Sequence, residues 1–183
     1  EDPDKAVEYC QKTRDFAKRG LADSIGLATA AFGLEGRVEL RRAHFKRALE
    51  LYLQQYAAGD GSALLSLRSA AREAVTTGGD ELAVIAAAPN ERAVVTAYLI
   101  CGEHDGERFA TSGSVATSST ARWLLAVEAA GVKDVDSAER LALAAYQEGE
   151  FELAQRWIKR AHNTPVAQWL QAKLYLRAGK VAP

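Results

Sequence analysis

One spaced pattern occurs twice in this chain and constrains its fold more than any other feature: Gly36, Ala43, Phe45, Ala48 and Tyr52, then Ala142, Gly149, Phe151, Ala154 and Ile158. In each copy a small residue precedes a turn position by seven residues. An aromatic follows the turn by two, an Ala by five and a large side chain by nine. Two antiparallel helices approach closely only where small side chains sit at their crossing, so Gly36, Ala142 and, in a third copy, Ala172 are expected at such contacts. A residue just past a helix end must often be left-handed, which suits Gly149 and Gly179, whereas Ala43 is expected to need a different cap. Phe45 and Phe151 open the second helix of each pair and are expected in the core. The third copy runs out at Val181, so the chain is expected to be a slice of a longer array.

These positions resemble the tetratricopeptide repeat, and the first stretch is also similar to the Sel1-like repeat. The run Ala142-Leu143-Ala144-Ala145-Tyr146-Gln147-Glu148-Gly149-Glu150-Phe151-Glu152-Leu153-Ala154, continuing to Ala161, carries the tetratricopeptide likeness. Lys5-Ala6-Val7-Glu8-Tyr9, with Gly20-Leu21-Ala22-Asp23-Ser24, carries the Sel1-like one. The likeness covers roughly the first third of the chain and the last quarter. The early copy departs from it, with Gln55 where the family places Ala. The last two copies also depart, since Gly149 and Gly179 are 30 residues apart against a family period of about 34. The resemblance implies an all-α, right-handed superhelical stack of antiparallel helix pairs, about eight to ten helices in all. It also implies a concave groove, lined by the first helix of each repeat, where peptides dock.

Composition agrees with one helical repeat domain over residues 1–183. The chain is rich in the helix formers Ala, Leu, Glu, Arg and Gln. With 23 basic and 24 acidic side chains it lacks the electrostatic footprint of a nucleic-acid binder. Cys10 and Cys101 form no disulfide framework and are expected to be buried apolar residues. No run approaches the roughly 18 apolar residues of a membrane helix, so direct membrane insertion is not expected. No stretch reads as a signal peptide. The chain holds no Met and opens on Asp2-Pro3 after Glu1, as a processed product or excised fragment would. Its compartment stays open between cytoplasm and periplasm.

Along the chain, Asp2-Pro3 starts a helix that reaches Gly20, and helices over Leu27–Val38 and Phe45–Tyr56 pair. Ser62 is expected to cap Leu64–Val75. Asp80 and Asn90 are expected to cap two shorter helices separated by Pro89. Residues 102–120 turn to Gly, Ser, Thr and charge and read as a polar, mobile loop. Helix resumes over Ala121–Ala130 until Gly131. Asp136 and Glu139 suggest a capping box, and Thr164-Pro165 starts the last helix.

Motifs for catalysis are missing: there is no phosphate-cradling loop with Lys, no Gly-x-Ser-x-Gly elbow and no His-Glu-x-x-His pair. Neither an enzyme nor a cofactor is expected. Cys101, Glu103, His104, Asp105 and Glu107 supply soft and hard donors, a remote alternative as a metal site. Arg37, Arg41 and Arg42 form a weaker candidate for an anion or acidic peptide, against the plainer reading of a solvated face paired with Glu35, Glu39 and Glu50. The last helix is the stronger candidate. Gln171, Ala172, Tyr175 and Ala178 satisfy the hairpin register, leaving Val166, Trp169, Leu170, Lys173, Leu174 and Arg177 on another side. By the family resemblance Glu139, Leu143 and Tyr146 neighbour Trp169, Lys173 and Arg177 as a partner-binding surface. The expected function is a non-catalytic scaffold for a protein or peptide. The alternative is a structural spacer in a larger envelope or secretion-associated protein. Self-association through exposed repeat ends is open to either.

Overall fold

A computed structural model describes residues 2–101, 118–132 and 138–179. Among the described residues there are ten helices and no strand. They are α1 (Pro3–Lys18), α2 (Leu27–Arg41), α3 (Phe45–Ala57), α4 (Ala63–Thr77), α5 (Glu81–Ala87), α6 (Pro89–Cys101), α7 (Ser119–Ala129), α8 (Ala138–Gln147), α9 (Phe151–Ile158) and α10 (Pro165–Arg177). The chain divides into two compact units, 1–85 and 86–183. In the first, α1 packs on α2, α2 on α3, α3 on α4, and α2 also reaches α4. In the second, α7 packs on α8, α8 on α9 and α9 on α10, while α6 and α10 both touch α8. Each unit is thus an all-α solenoid of sequential neighbours, with alternate helices also in contact. No single helix among the described residues is long and apolar enough to cross a membrane.

The apolar spacing explains which faces are buried. On α3 the residues Phe45, Ala48, Leu49, Tyr52 and Gln55 recur at helical period and are buried. Gly36 lies opposite Tyr52, and a Cβ there would sit 2.7 Å from the ring. Ala142 is fully buried in the equivalent place on α8, whereas Ala172, expected at such a crossing, is exposed on α10. Gln55, the departure from the family pattern, is accommodated by a second small residue. A Cβ on Gly33 would come within 2.8 Å of its Oε1. Its amide nitrogen donates to Asp60 Oδ2 at 2.7 Å.

The turns recur as closely as the crossings. The His44 amide donates to the Glu39 carbonyl and the Ala43 amide to Leu40, both at 3.0 Å. Glu150 and Gly149 repeat this pair of bonds onto Ala145 and Tyr146. Both are Schellman ends, which require a left-handed residue between the two helices. Gly149 has φ 85° and Gly179 φ 67°, and Ala43 adopts the same conformation at φ 60°. The expectation of a different cap at Ala43 is therefore corrected: the hydrogen-bond pattern imposes the left-handed turn whether or not the residue is glycine. Alanine there costs about 1–2 kcal/mol in steric strain, against an extra chain-entropy cost for glycine of about 0.5–1 kcal/mol. Ala43→Gly is expected to stabilise the 1–85 unit by about 0.5–1 kcal/mol, read from the midpoint of urea unfolding at unchanged slope.

Two helix starts are capped by a carboxylate that reaches in from elsewhere in the chain. The α3 start at His44 has no side-chain cap of its own. Instead the Glu81 carboxylate accepts from the Phe45 amide at 2.9 Å and the Lys46 amide at 3.0 Å. Asp23 accepts from the amides of Leu27 and Ala28 and so caps α2. Ser62 makes no side-chain cap to α4, its own amide being held by Asp60 at 2.9 Å. The two shorter helices do break at Pro89, but Pro89 is itself the first residue of α6, where a missing N–H costs nothing, so Asn90 lies inside that helix and does not cap it. Ser118 and Thr164 cap α7 and α10 through the amides of Ala121 and Ala167. Most of the 102–120 segment, as well as Asp136 and Val181, falls outside the described residues.

Candidate functional site

Helix α10 buries only a narrow stripe, Ala167, Leu170 and Leu174. Val166, Trp169, Tyr175 and Leu176 are exposed large apolar side chains. Such a helix is anchored along one seam and offers two further sides. One side, with Gln171, Ala172 and Tyr175, joins Ile158 and Ala167 in lining an open groove of about 420 Å³. The other carries Trp169, Lys173 and Arg177 at successive turns.

That second side is built from rings and cations. The Lys173 ammonium lies 4.1 Å from the Trp169 ring centroid and 5.7 Å from that of Tyr146 on α8. The Arg177 guanidinium carbon lies 3.8 Å from the centroid of Phe151 on α9. Tyr146 and Phe151 meet edge to face at 5.5 Å and 72°. Each cation over a ring contributes about 0.5–1 kcal/mol where solvent reaches it. Neither Lys173 nor Arg177 forms an ion pair with any described residue.

The expected set therefore divides by role. Tyr146, Trp169, Lys173 and Arg177 form one continuous array. Glu139 accepts a hydrogen bond from the Thr164 hydroxyl, tying α8 to the start of α10. Leu143 is half-buried one turn before Tyr146. Phe151, expected in the core, is only half-buried and belongs to the array, because Arg177 covers its outer face. Whole-chain charge balance conceals a further signal: from Leu153 to Pro183 there are six Lys or Arg residues and no Asp or Glu. Of these, Arg156 pairs with Glu128 at 3.3 Å and Arg160 stacks over the buried Trp157 at 4.5 Å.

The arginine-rich turn after α2 is organised differently. Arg42 is held by Asp4 at 2.5 Å and by Glu39 at 3.4 Å. Arg37 and Arg41 are exposed and in no ion pair with a described residue. The solvated-face reading needs correction at Glu35, which is 1% exposed. It accepts from Arg14 of α1 and, at 3.1 Å, from Arg47 of α3, so this charge lies inside the unit and pins three helices together. Nearby, burial and then the Glu35 charge push the Cys10 thiol pKa up. Cys101, expected to be buried, is exposed at the last position of α6, while Glu103, His104, Asp105 and Glu107 lie outside the described residues.

Comparison of the chain with models of protein families, with curated proteins and with solved structures finds no match in any of the three.

Proposed function

We propose that this chain is a non-catalytic helical-repeat scaffold of the tetratricopeptide or Sel1-like kind, docking a protein or peptide partner along the Trp169 side of α10 and the adjoining face of α8. Three features support the repeat reading: the Schellman turns at Ala43 and Gly149, the small residues Gly36 and Ala142 at the crossings, and the contacts between alternate helices. The docking reading is carried by one observation. Trp169 is 49% exposed, yet its ring is covered by a lysine that has no acidic partner among the described residues. An aromatic anchor beside oriented cations is the composition enriched where interfaces concentrate their binding energy.

The experiment compares the wild-type chain with Trp169→Ala combined with Lys173→Glu on an array of random-sequence peptides. Peptides retained by the wild type are expected to lose at least about tenfold in affinity to the variant, while the helical circular dichroism stays unchanged. Equal retention by both proteins refutes docking on this side, and an array on which nothing is retained favours the spacer.

A further inference from the structure

We infer that the occupant of the Trp169, Lys173 and Arg177 side is an acidic peptide segment, presenting carboxylates about 6 Å apart beside an apolar side chain. This rests on the docking reading above and names the partner's chemistry.

Lys173 and Arg177 are one helical turn apart, which places their Cβ atoms about 5–6 Å from each other. Carboxylates two residues apart on an extended strand, at about 3.3 Å per residue, match that separation. Those four positions apart on a helix match it as well. The rings hold both cations in place before any ligand arrives. Lys173 lies against Trp169 and Tyr146, and Arg177 against Phe151, so less side-chain freedom remains to be lost on binding.

A cation over a ring keeps its charge, and no carboxylate among the described residues neutralises either one. Helix α10 itself carries no acidic side chain, and the carboxylate of Glu139 on α8 is engaged by the Thr164 hydroxyl. Val166, Trp169 and Leu176 are exposed at positions i, i+3 and i+10 of the same helix and supply apolar contact beside the cations. A neutral apolar peptide would cover two unpaired cations and strip their hydration without return. A partner with carboxylates at that spacing satisfies them with charge-assisted hydrogen bonds. The chain as a whole has net charge −1, which disfavours an extended polyanion relative to a short acidic segment.

The probes are a short fluorescein-labelled peptide of alternating Glu and Leu, and its counterpart with Gln at every Glu, titrated by anisotropy at low salt. The Glu peptide is expected to bind about tenfold more tightly than the Gln peptide, two charge-assisted contacts at an exposed site accounting for that ratio. Lys173→Gln with Arg177→Gln should bring the ratio close to one. Lys173→Glu with Arg177→Glu should invert it in favour of a Lys-for-Glu peptide. These positions are on the surface, and circular dichroism checks each variant's fold. Equal binding of the Glu and Gln peptides, unmoved by charge reversal, overturns the acidic partner and leaves the docking face standing. Failure of both peptides to bind overturns the two together. Tighter binding of single-stranded DNA, or of phosphatidylserine vesicles, than of the Glu peptide overturns the inference in favour of a nucleic-acid or lipid surface.

Discussion

Glu35→Ala is expected to destabilise the 1–85 unit by about 3–5 kcal/mol, the range for removing one partner of a buried ion pair. Glu35 is 1% exposed and Arg14 is 8% exposed. Without the carboxylate, the Arg14 guanidinium keeps only its stacking on Phe32, at 4.7 Å from the ring centroid. Its Nη1 already has no hydrogen-bond partner among the described residues. Arg47 suffers less, because it is exposed and still reaches Glu50 at 3.3 Å. The penalty therefore comes from Arg14 and should be relieved by removing it. Combining Glu35→Leu with Arg14→Met is expected to return stability to near the wild-type value, since well-packed apolar groups of similar volume often replace a buried pair at no cost. Urea unfolding followed by amide exchange in α1, α2 and α3 reads both outcomes. A loss below about 1 kcal/mol for Glu35→Ala would mean that the pair is solvated, as exposed pairs are.

Gly36→Leu is expected to cost about 3 kcal/mol, the upper part of the range for overpacking a close-packed core. The first atom of any side chain at 36 would stand 2.7 Å from the Tyr52 ring, so leucine must push α2 away from α3 or force Tyr52 off its rotamer. Gain in helix propensity offsets about 0.8–1 kcal/mol of the strain, because glycine is the poorest helix former after proline. The space removed can be returned from across the interface. Tyr52→Ala in the same chain is expected to recover part of the loss, with a coupling of about 1–2 kcal/mol between the two positions. Strictly additive effects would show that Gly36 and Tyr52 do not share the crossing.

Much of the fold was legible because its grammar is local. Ala, Leu and aromatic residues at helical spacing mark α1 to α4 and α7 to within two or three residues, and Gly149 announces its own left-handed turn. What stayed hidden depends on distant chain. Nothing near His44 shows that Glu81, more than thirty residues on, supplies the carboxylate for α3. Glu35 sits among Arg37, Glu39 and Arg41 and resembles any solvated turn until α1 and α3 close over it. The candidate site was legible to the same degree. Spacing sets Trp169, Lys173 and Arg177 at successive turns of α10, but it also put Leu170 and Leu174 on that side and Ala172 and Tyr175 in the packed register, whereas Leu170 and Leu174 form the buried seam and Ala172 and Tyr175 are exposed. The inclusion of Phe151 depends on where Arg177 reaches. The one-sided charge after Leu153 was visible in the sequence but vanished in the balance of the whole chain.

Of the recurring positions, Gly36, Phe45, Ala48, Tyr52, Ala142, Ala154 and Ile158 are buried, and the proposed docking face lies beside them on α8 and α10. Hydrogen exchange of the wild-type chain with and without the Glu and Leu peptide tests that separation most directly. The expected result is slower exchange confined to residues 138–147 and 165–177, with the amides of α1 to α4 unchanged. Protection centred on α2 and α3 around Arg37 and Arg41, or no change anywhere at saturating peptide, would contradict it.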